Sequence, residues 1–489
     1  MRSQPRRRIL ARLASSAILA AVVACASTGG PGSSTPTTPY HDAIPPELIQ
    51  RARALGRVRV LVRFLSDTER SSGGTGGDPI VDPIEVRDTQ DSFLNEIRRH
   101  QDPLVTRFPT LSFVALEVDE NELVTLQRAI QRELALPPQQ RVLPDFQMEE
   151  ARLLQGQAVA RRLDIPISSA LAYVQAQNPA LTGAGRRIVV IDNGVDADAK
   201  YGLDGMLDAG SRIQLGYLIC HPSTIGNSDP VLARSDVFPA NDLSHGTIVA
   251  RIAHAVAPAA KLVAIRVDEN GAVPVDNVIA ALEEVKCRWS QSGEPIAAVC
   301  VSLSWSVSMG GSAHSAPCDP GPGAPPRVVA MARIIAELEQ LGVAVVVAAG
   351  NDQLVGSLTY PACVGRAVNA ASTCIDLWAM PALHYSQLSA FSNWSNDVDL
   401  VAPGADVALN VSWSAWLYSV NGTSIAAPFV AGAFAALSGA QPQCTQAQIF
   451  AALRGTGLSI SSNGISQPLI QIESARHDLQ TTCPSELPP

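Results

Sequence analysis

The chain has 489 residues, 46% of them apolar and 17% charged, enough for two or more folded units with large cores and not a disordered composition. A formal charge of −9 at pH 7 excludes the basic footprint of a nucleic-acid binder, so no nucleic-acid partner is expected. Mild acidity says little else about substrate.

Residues 1–25 read as an export signal rather than as part of a fold. Arg2, Arg6, Arg7, Arg8 and Arg12 form a positive start, and the apolar or small run from Leu13 to Ala24 is too short to span a bilayer. Arg6-Arg7-Arg8-Ile9-Leu10 is a degenerate twin-arginine pattern. Val22-Val23-Ala24-Cys25 resembles a bacterial lipobox, in which Cys25 would be lipidated and become the mature N-terminus. Ala24-Cys25-Ala26 also reads as an ordinary small-x-small cleavage site. The Ser-, Thr-, Gly- and Pro-rich segment 26–45 suits a tether and favours the anchored form. The expected location is therefore the bacterial cell envelope or outer surface, or the medium after processing. Setting Cys25 aside leaves eight cysteines, at 220, 287, 300, 318, 363, 374, 444 and 483. In an exported chain that even number suggests disulfides whose pairing the sequence leaves open. No Cys-x-x-Cys and no close pair of His occurs, so no structural zinc is expected.

Residues 46–150 form a first unit. Arg57 to Phe64 alternates polar and apolar as a half-buried strand does. After a Gly- and Asp-rich loop (71–82), Ser92 to His100 is expected to be a helix with Phe93, Leu94 and Ile97 on one face. Leu111 to Val118 is expected as strand, Glu120 to Leu134 as helix, and Arg141 to Pro144 as a last short strand. That order suits a small ferredoxin-like α+β sandwich, which by itself implies no function.

Residues 151–489, with a core at about 165–475, have a different texture. Nearly continuous apolar strands (187–191, 261–267, 297–303, 343–348) alternate with helical stretches at 274–287 and 327–341. This is the pattern of an α/β fold with a parallel sheet covered on both faces, whose functional groups lie at the carboxyl ends of the strands. Met309 to Pro326, rich in Gly, Ser and Pro, is expected as a surface loop.

Three segments could carry chemistry. Ile188-Val189-Val190-Ile191-Asp192-Asn193-Gly194 ends an apolar strand in a carboxylate, although Asp-Asn-Gly is also ordinary turn chemistry. Asp242-Leu243-Ser244-His245-Gly246-Thr247 puts a histidine at the start of an apolar helical run. Asn421-Gly422-Thr423-Ser424-Ile425-Ala426-Ala427-Pro428 brings a hydroxyl to the entry of an Ala-rich helix that is apolar all round. Helix capping alone would explain the serine but not so apolar a helix.

Together these segments, in the order Asp, His, Ser, resemble the signatures of the subtilisin family. Connecting stretches at 256–267, 345–351, 391–393 and 399–404 match too, so the resemblance runs from about Leu181 to Leu437. Asn193 stands where the family has Ser or Thr. Ile425 and Phe429 replace Met and His, and Ser304 replaces a Gly at the edge of the substrate cleft.

The resemblance implies a subtilisin-like parallel sheet with helices on both faces and a serine endopeptidase with Asp192, His245 and Ser424 as triad. The Asn351 side chain and the Ser424 backbone N–H would be oxyanion donors. Ser302, Leu303, Ser304, Ala348 and Gly350 would line the path of a bound peptide or protein substrate, with an apolar residue before the cut. The unit 46–150 resembles the family's inhibitor propeptides, making the chain its own first partner and a zymogen. No cofactor is required for the chemistry. Structural calcium is compatible with the family, yet no local run of carboxylates identifies a site. The rival reading is a catalytically silent surface lipoprotein that uses the fold as a binding or structural module; the expected mark of a silent homologue, a lost triad or oxyanion residue, is absent.

Overall fold

A computed structural model of the protein describes residues 44–483, except 66–82, 98–104, 109–110, 137–142, 155–164, 196–206, 215–243, 269–271, 293–294, 377–383, 411–416 and the single positions 145, 152 and 322. Cys25, the tether and Cys220 lie outside the described residues.

The first unit opens with helix α1 (Pro46–Leu55), which the sequence reading did not anticipate, and continues with β1 (Val58–Phe64). Helix α2 (Pro83–Glu96) starts nine residues before the expected Ser92, and residues 98–100 of the expected helix lie outside the described residues. Pro83 begins it because a proline at the first helical position gives up no hydrogen bond. Strands β2 (Thr106–Arg107) and β3 (Phe113–Val118), helix α3 (Glu120–Leu134) and strand β4 (Phe146–Glu150) follow. Of the last strand expected at Arg141–Pro144, residues 141 and 142 lie outside the described residues and Leu143 and Pro144 are not strand. Phe146-Gln147-Met148-Glu149-Glu150 has a weak apolar pattern because it is an edge strand with only Met148 buried, held by antiparallel pairing to β1. The strand order β2-β3-β1-β4 with β-α-β-β-α-β succession is ferredoxin-like. Asp119 caps α3 in a reciprocal box with Glu122.

A short strand β5 (Leu153–Leu154) leads to β6 (Ile165–Pro166), α4 (Ile167–Tyr173), β7 (Arg187–Asp192) and β8 (Leu207–Gln214). Next come α5 (His245–Val256), β9 (Lys261–Arg266), β10 (Val273–Pro274), α6 (Val275–Ser292), β11 (Ile296–Val301), α7 (Pro326–Gln340) and β12 (Ala344–Ala348). The chain then forms β13 (Val368–Asp376), β14 (His384–Leu388), β15 (Leu400–Pro403), β16 (Val407–Asn410) and β17 (Leu417–Val420). It ends with α8 (Thr423–Ala440), α9 (Gln446–Thr456), β18 (Leu458–Ser462), β19 (Ile465–Leu469) and α10 (Ile472–Thr482).

The main sheet runs β18-β19-β15-β13-β12-β11-β7-β9-β8, with β14 on β13. Its centre is parallel, while β18 and β14 join antiparallel. Both faces are covered. On β7, Ile188 and Val190 pack with α5, α8, α9 and α10, whereas Val189 and Ile191 pack with α6 and α7. That is why these strands read as unbroken apolar runs. Helix α8 is long and apolar enough to cross a membrane, but 83% of that window is buried in the core.

The first unit has its own core, from Ile44 to Met148. The other face of its sheet, with Leu61, Phe113 and Ala115, joins the core under α6 and α7. Arg59 donates from Nε to Asp276 Oδ2 at 2.9 Å and from Nη2 to Asn277 Oδ1 at 3.0 Å, in the first turn of α6. Glu149 accepts from the Arg327 backbone N–H at 2.5 Å and from its guanidinium, at the start of α7.

The even cysteine count does not make every thiol a bridge. Cys318–Cys363 and Cys444–Cys483 are disulfides and Cys287 is also bonded, but Cys300 keeps a free thiol. Its place on central strand β11, fully buried between α8 and the neighbouring strands, encloses it.

Candidate active site

The strand order places the site. β7 comes first in the sheet, β9 and β8 lie to one side of it and β11 and β12 to the other, so the crossover connections part between β7 and β11. Such a parting leaves a crevice at the carboxyl ends of the strands. Asp192 is the last residue of β7, Ser302 follows β11, and Gly350-Asn351 follow β12.

Asp192 is 1% exposed. Its Oδ1 accepts from the Asn193 backbone N–H at 2.8 Å, and both oxygens face His245 Nδ1, at 2.9 and 3.0 Å. His245 is the first residue of α5, whose start is capped by the Ser244 hydroxyl accepting from Thr247 N–H. Asn193 Oδ1 accepts from Gly246 N–H at 2.9 Å and so ties the aspartate strand to the histidine helix. In the sequence, Asn193 stands out only as a departure from the family pattern. Gly246 is needed because any β-carbon there would run into the Gly194 carbonyl and lie 3.0 Å from Asp192 Cβ.

Burial lowers the basicity of His245, but the charge of Asp192 and its hydrogen bond outweigh that, and the imidazole pKa is raised above its ordinary value. Its Nε2 is buried and makes no hydrogen bond. The aspartate–histidine contact is thus closed and the histidine–serine contact open, as often holds before substrate binds.

Ser424 is the second residue of α8 and is 3% exposed. Gly422 precedes it at φ +149°, a conformation that strains any other residue. A methyl group on Gly422 would lie 2.8 Å from Ser424 Oγ and 3.4 Å from Asn351 Nδ2, so both groups border one small space. Asn351 is oriented by Thr423, whose backbone N–H and hydroxyl each donate to Asn351 Oδ1 at 2.8 Å. That leaves the amide N–H₂ of Asn351 turned to the serine at the start of helix α8.

The five residues read as substrate path are all buried: Ser302, Leu303, Ser304, Ala348 and Gly350. Gly350 N–H donates to Thr423 Oγ1 at 3.1 Å, and its carbonyl accepts from Asn393 N–H at 2.9 Å. Ser302 Oγ donates to the Ser424 carbonyl at 3.1 Å. Asn393 is a further residue of the site, beyond those expected from the sequence. Its Oδ1 accepts from Asp352 and Leu354 N–H and its Nδ2 donates to the Ala349 carbonyl, so it fastens the loop that carries Asn351. Its signal was the Phe-Ser-Asn run. Among the described residues, His314, Cys318 and Cys363 are the one group of three potential metal donors. Its sulfurs are joined to each other and it offers no oxygen, so it does not suit calcium.

The profile of the subtilase family matches residues 183–468. Subtilisin Savinase of Lederbergia lenta is 28% identical over 304 residues, which cover 61% of this chain and 94% of that one. An alkaline protease of Shouchella clausii is also 28% identical over 304 residues, and this chain spans 66% of its length. The crystal structure of a cold adapted subtilisin-like serine proteinase aligns with TM-score 0.40 and 24% identity, over 59% of this chain and 89% of that one. With more than half of its length matched by the family profile and its Asp, His and Ser segments gathered at one sheet edge, the chain belongs to the subtilase family of serine proteases.

Proposed function

We propose that the protein is an active serine endopeptidase, exported as a precursor that processes itself. The observation that carries this reading is the 2.9 Å contact of buried Asp192 with His245, at the cleft where Ser424 Oγ and Asn351 Nδ2 border one space. Neutral His245 would take the Ser424 proton as Oγ attacks the scissile carbonyl, forming a tetrahedral intermediate. Its oxyanion would be held by Asn351 Nδ2 and the Ser424 backbone N–H. Collapse of that intermediate gives the acyl-enzyme, with the proton returned from His245 to the leaving amine. Water then repeats the sequence to release the acid. Asp192 keeps the proton on Nδ1 and stabilises the imidazolium. No step needs a cofactor.

The unit 46–150 is read as an inhibitory propeptide, supported by its own core and its seat on α6 and α7. The cut that frees it would fall between about Glu150 and Pro166. Export is supported by the leader and by the disulfides, which persist in oxidising compartments. Lipidation of Cys25 would hold the precursor at the membrane, and cleavage would release the enzyme.

A fluorophosphonate probe tests the chemistry directly. Ser424 is expected to be the labelled residue, and Ser424→Ala to lose both labelling and peptide hydrolysis while staying folded. Turnover near wild type in a contaminant-free Ser424→Ala preparation would sink the mechanism.

A further inference from the structure

Ser302 lies outside the Asp–His–Ser set, yet its side chain reaches the nucleophile's own backbone. Helix α8 carries Pro428 four residues after Ser424. In an α-helix the carbonyl of residue i accepts from the N–H of residue i+4, and proline has none. The Ser424 carbonyl therefore loses its helical donor at a place where Ser424 is 3% and Ser302 1% exposed. A buried acceptor left unsatisfied there would be costly. Ser302 Oγ supplies the donor at 3.1 Å.

A serine hydroxyl has one proton, and here it is committed to the carbonyl. The 3.3 Å contact between Cys300 Sγ and Ser302 Oγ consequently has the thiol as donor. Burial pushes the Cys300 thiol up to about 12, so it stays protonated and able to donate. The result is a buried chain from the Cys300 thiol through the Ser302 hydroxyl to the Ser424 carbonyl.

We propose that Ser302 is a positioning residue for the nucleophile, its hydroxyl standing in for the hydrogen bond that Pro428 withholds from the Ser424 carbonyl. This assignment rests on Ser424 being the nucleophile. The 424–425 peptide plane adjoins the Cα from which the Ser424 side chain projects, so holding that plane aims Oγ between His245 and the oxyanion donors. Losing the contact misaims the attack, and because Ser302 Oγ is buried and turned to the Ser424 carbonyl rather than to the peptide path that the Ser302 backbone borders, the loss lowers kcat rather than raising KM.

The test is a suppressor experiment in the full-length chain. Ser302→Ala is expected to lower kcat about tenfold with KM unchanged, the size of one net hydrogen bond. Phosphonylation of Ser424 by a fluorophosphonate, in which Oγ displaces fluoride from phosphorus, should slow by the same factor. Pro428→Ala restores an N–H at position 428. Added to Ser302→Ala, it should return kcat to within about twofold of wild type, a coupling that independent sites do not show. Should Ser302→Ala alone fail to fold, recovery of a folded, active chain by Pro428→Ala supports the assignment and failure to recover overturns it. Wild-type kcat in Ser302→Ala, or a double variant no faster than the single one, also overturns it. Absence of Ser424 labelling in the wild-type chain overturns the proteolytic reading itself, and the assignment with it. A labelled wild type with an unaltered Ser302→Ala overturns the assignment alone.

Discussion

Single residues here act through what holds them. Asp192 is engaged by Asn193 N–H and by His245, and its charge and hydrogen bond raise the imidazole pKa against the effect of burial. As the proposed base, His245 must be neutral to act, so kcat/KM is expected to rise with pH through a midpoint above the reference of about 6.5. A midpoint at or below that reference would mean that burial outweighs the carboxylate. The same shift favours the protonated form in the folded chain. Its contribution to stability is therefore full below the unfolded pKa and lost as pH rises through the folded one. Asn351 is fixed by two hydrogen bonds to its carbonyl oxygen, with its N–H₂ toward the serine. Asn351→Ala is expected to lower kcat by ~10²–10³ with little change in KM, because the proposed oxyanion donor would matter mainly in the transition state. A change confined to KM would make it a binding residue instead.

Secondary elements present these groups, and their ends matter more than their middles. β7, β11 and β12 stop side by side, delivering Asp192, Ser302 and Asn351 to one edge. These strands were legible because burial on both faces removes polar residues from them. Edge strand β4 was misplaced in the sequence reading because only Met148 is buried and its pairing with β1 is written nowhere in its own pattern. Helix α10, which packs on α9 at the chain's end, is held by Cys444–Cys483 across 39 residues. Loop-closure entropy for that span predicts that Cys444→Ala with Cys483→Ala lowers the unfolding free energy by about 3–4 kcal/mol, measurable by urea denaturation. A loss near zero would show the reduced chain to be equally constrained.

The whole molecule joins its two units through an apolar sheet face, with Leu61, Phe113 and Ala115, and through charge contacts at the starts of α6 and α7. Arg59 meets an Asp276 side chain that is fully buried, so the pair is shielded from solvent. If the first unit is the inhibitor, wild type should yield a shorter form while Ser424→Ala accumulates as full-length, membrane-associated precursor. Equal masses by intact-mass analysis would contradict self-processing. The isolated segment 46–150 should inhibit the mature enzyme in trans. Arg59→Ala should weaken that inhibition about tenfold or more, as expected when a buried charge loses its partner. Unchanged inhibition would locate the affinity elsewhere.

The amino-acid sequence alone determined the buried strands, the apolar helix α8, and the three segments bearing Asp192, His245 and Ser424, because each depends on local pattern or on residues adjacent in the chain. Only the tertiary structure decided which distant groups meet. Asn193 holding Gly246, Thr423 orienting Asn351, and Ser302 standing in for the N–H that Pro428 lacks are contacts 53, 72 and 122 residues apart. Cys300 staying a thiol belongs with them, since pairing depends on which cysteines the packed sheet leaves within reach. Periodicity records how a side chain faces its own element. It carries no record of a hydrogen bond made across the core.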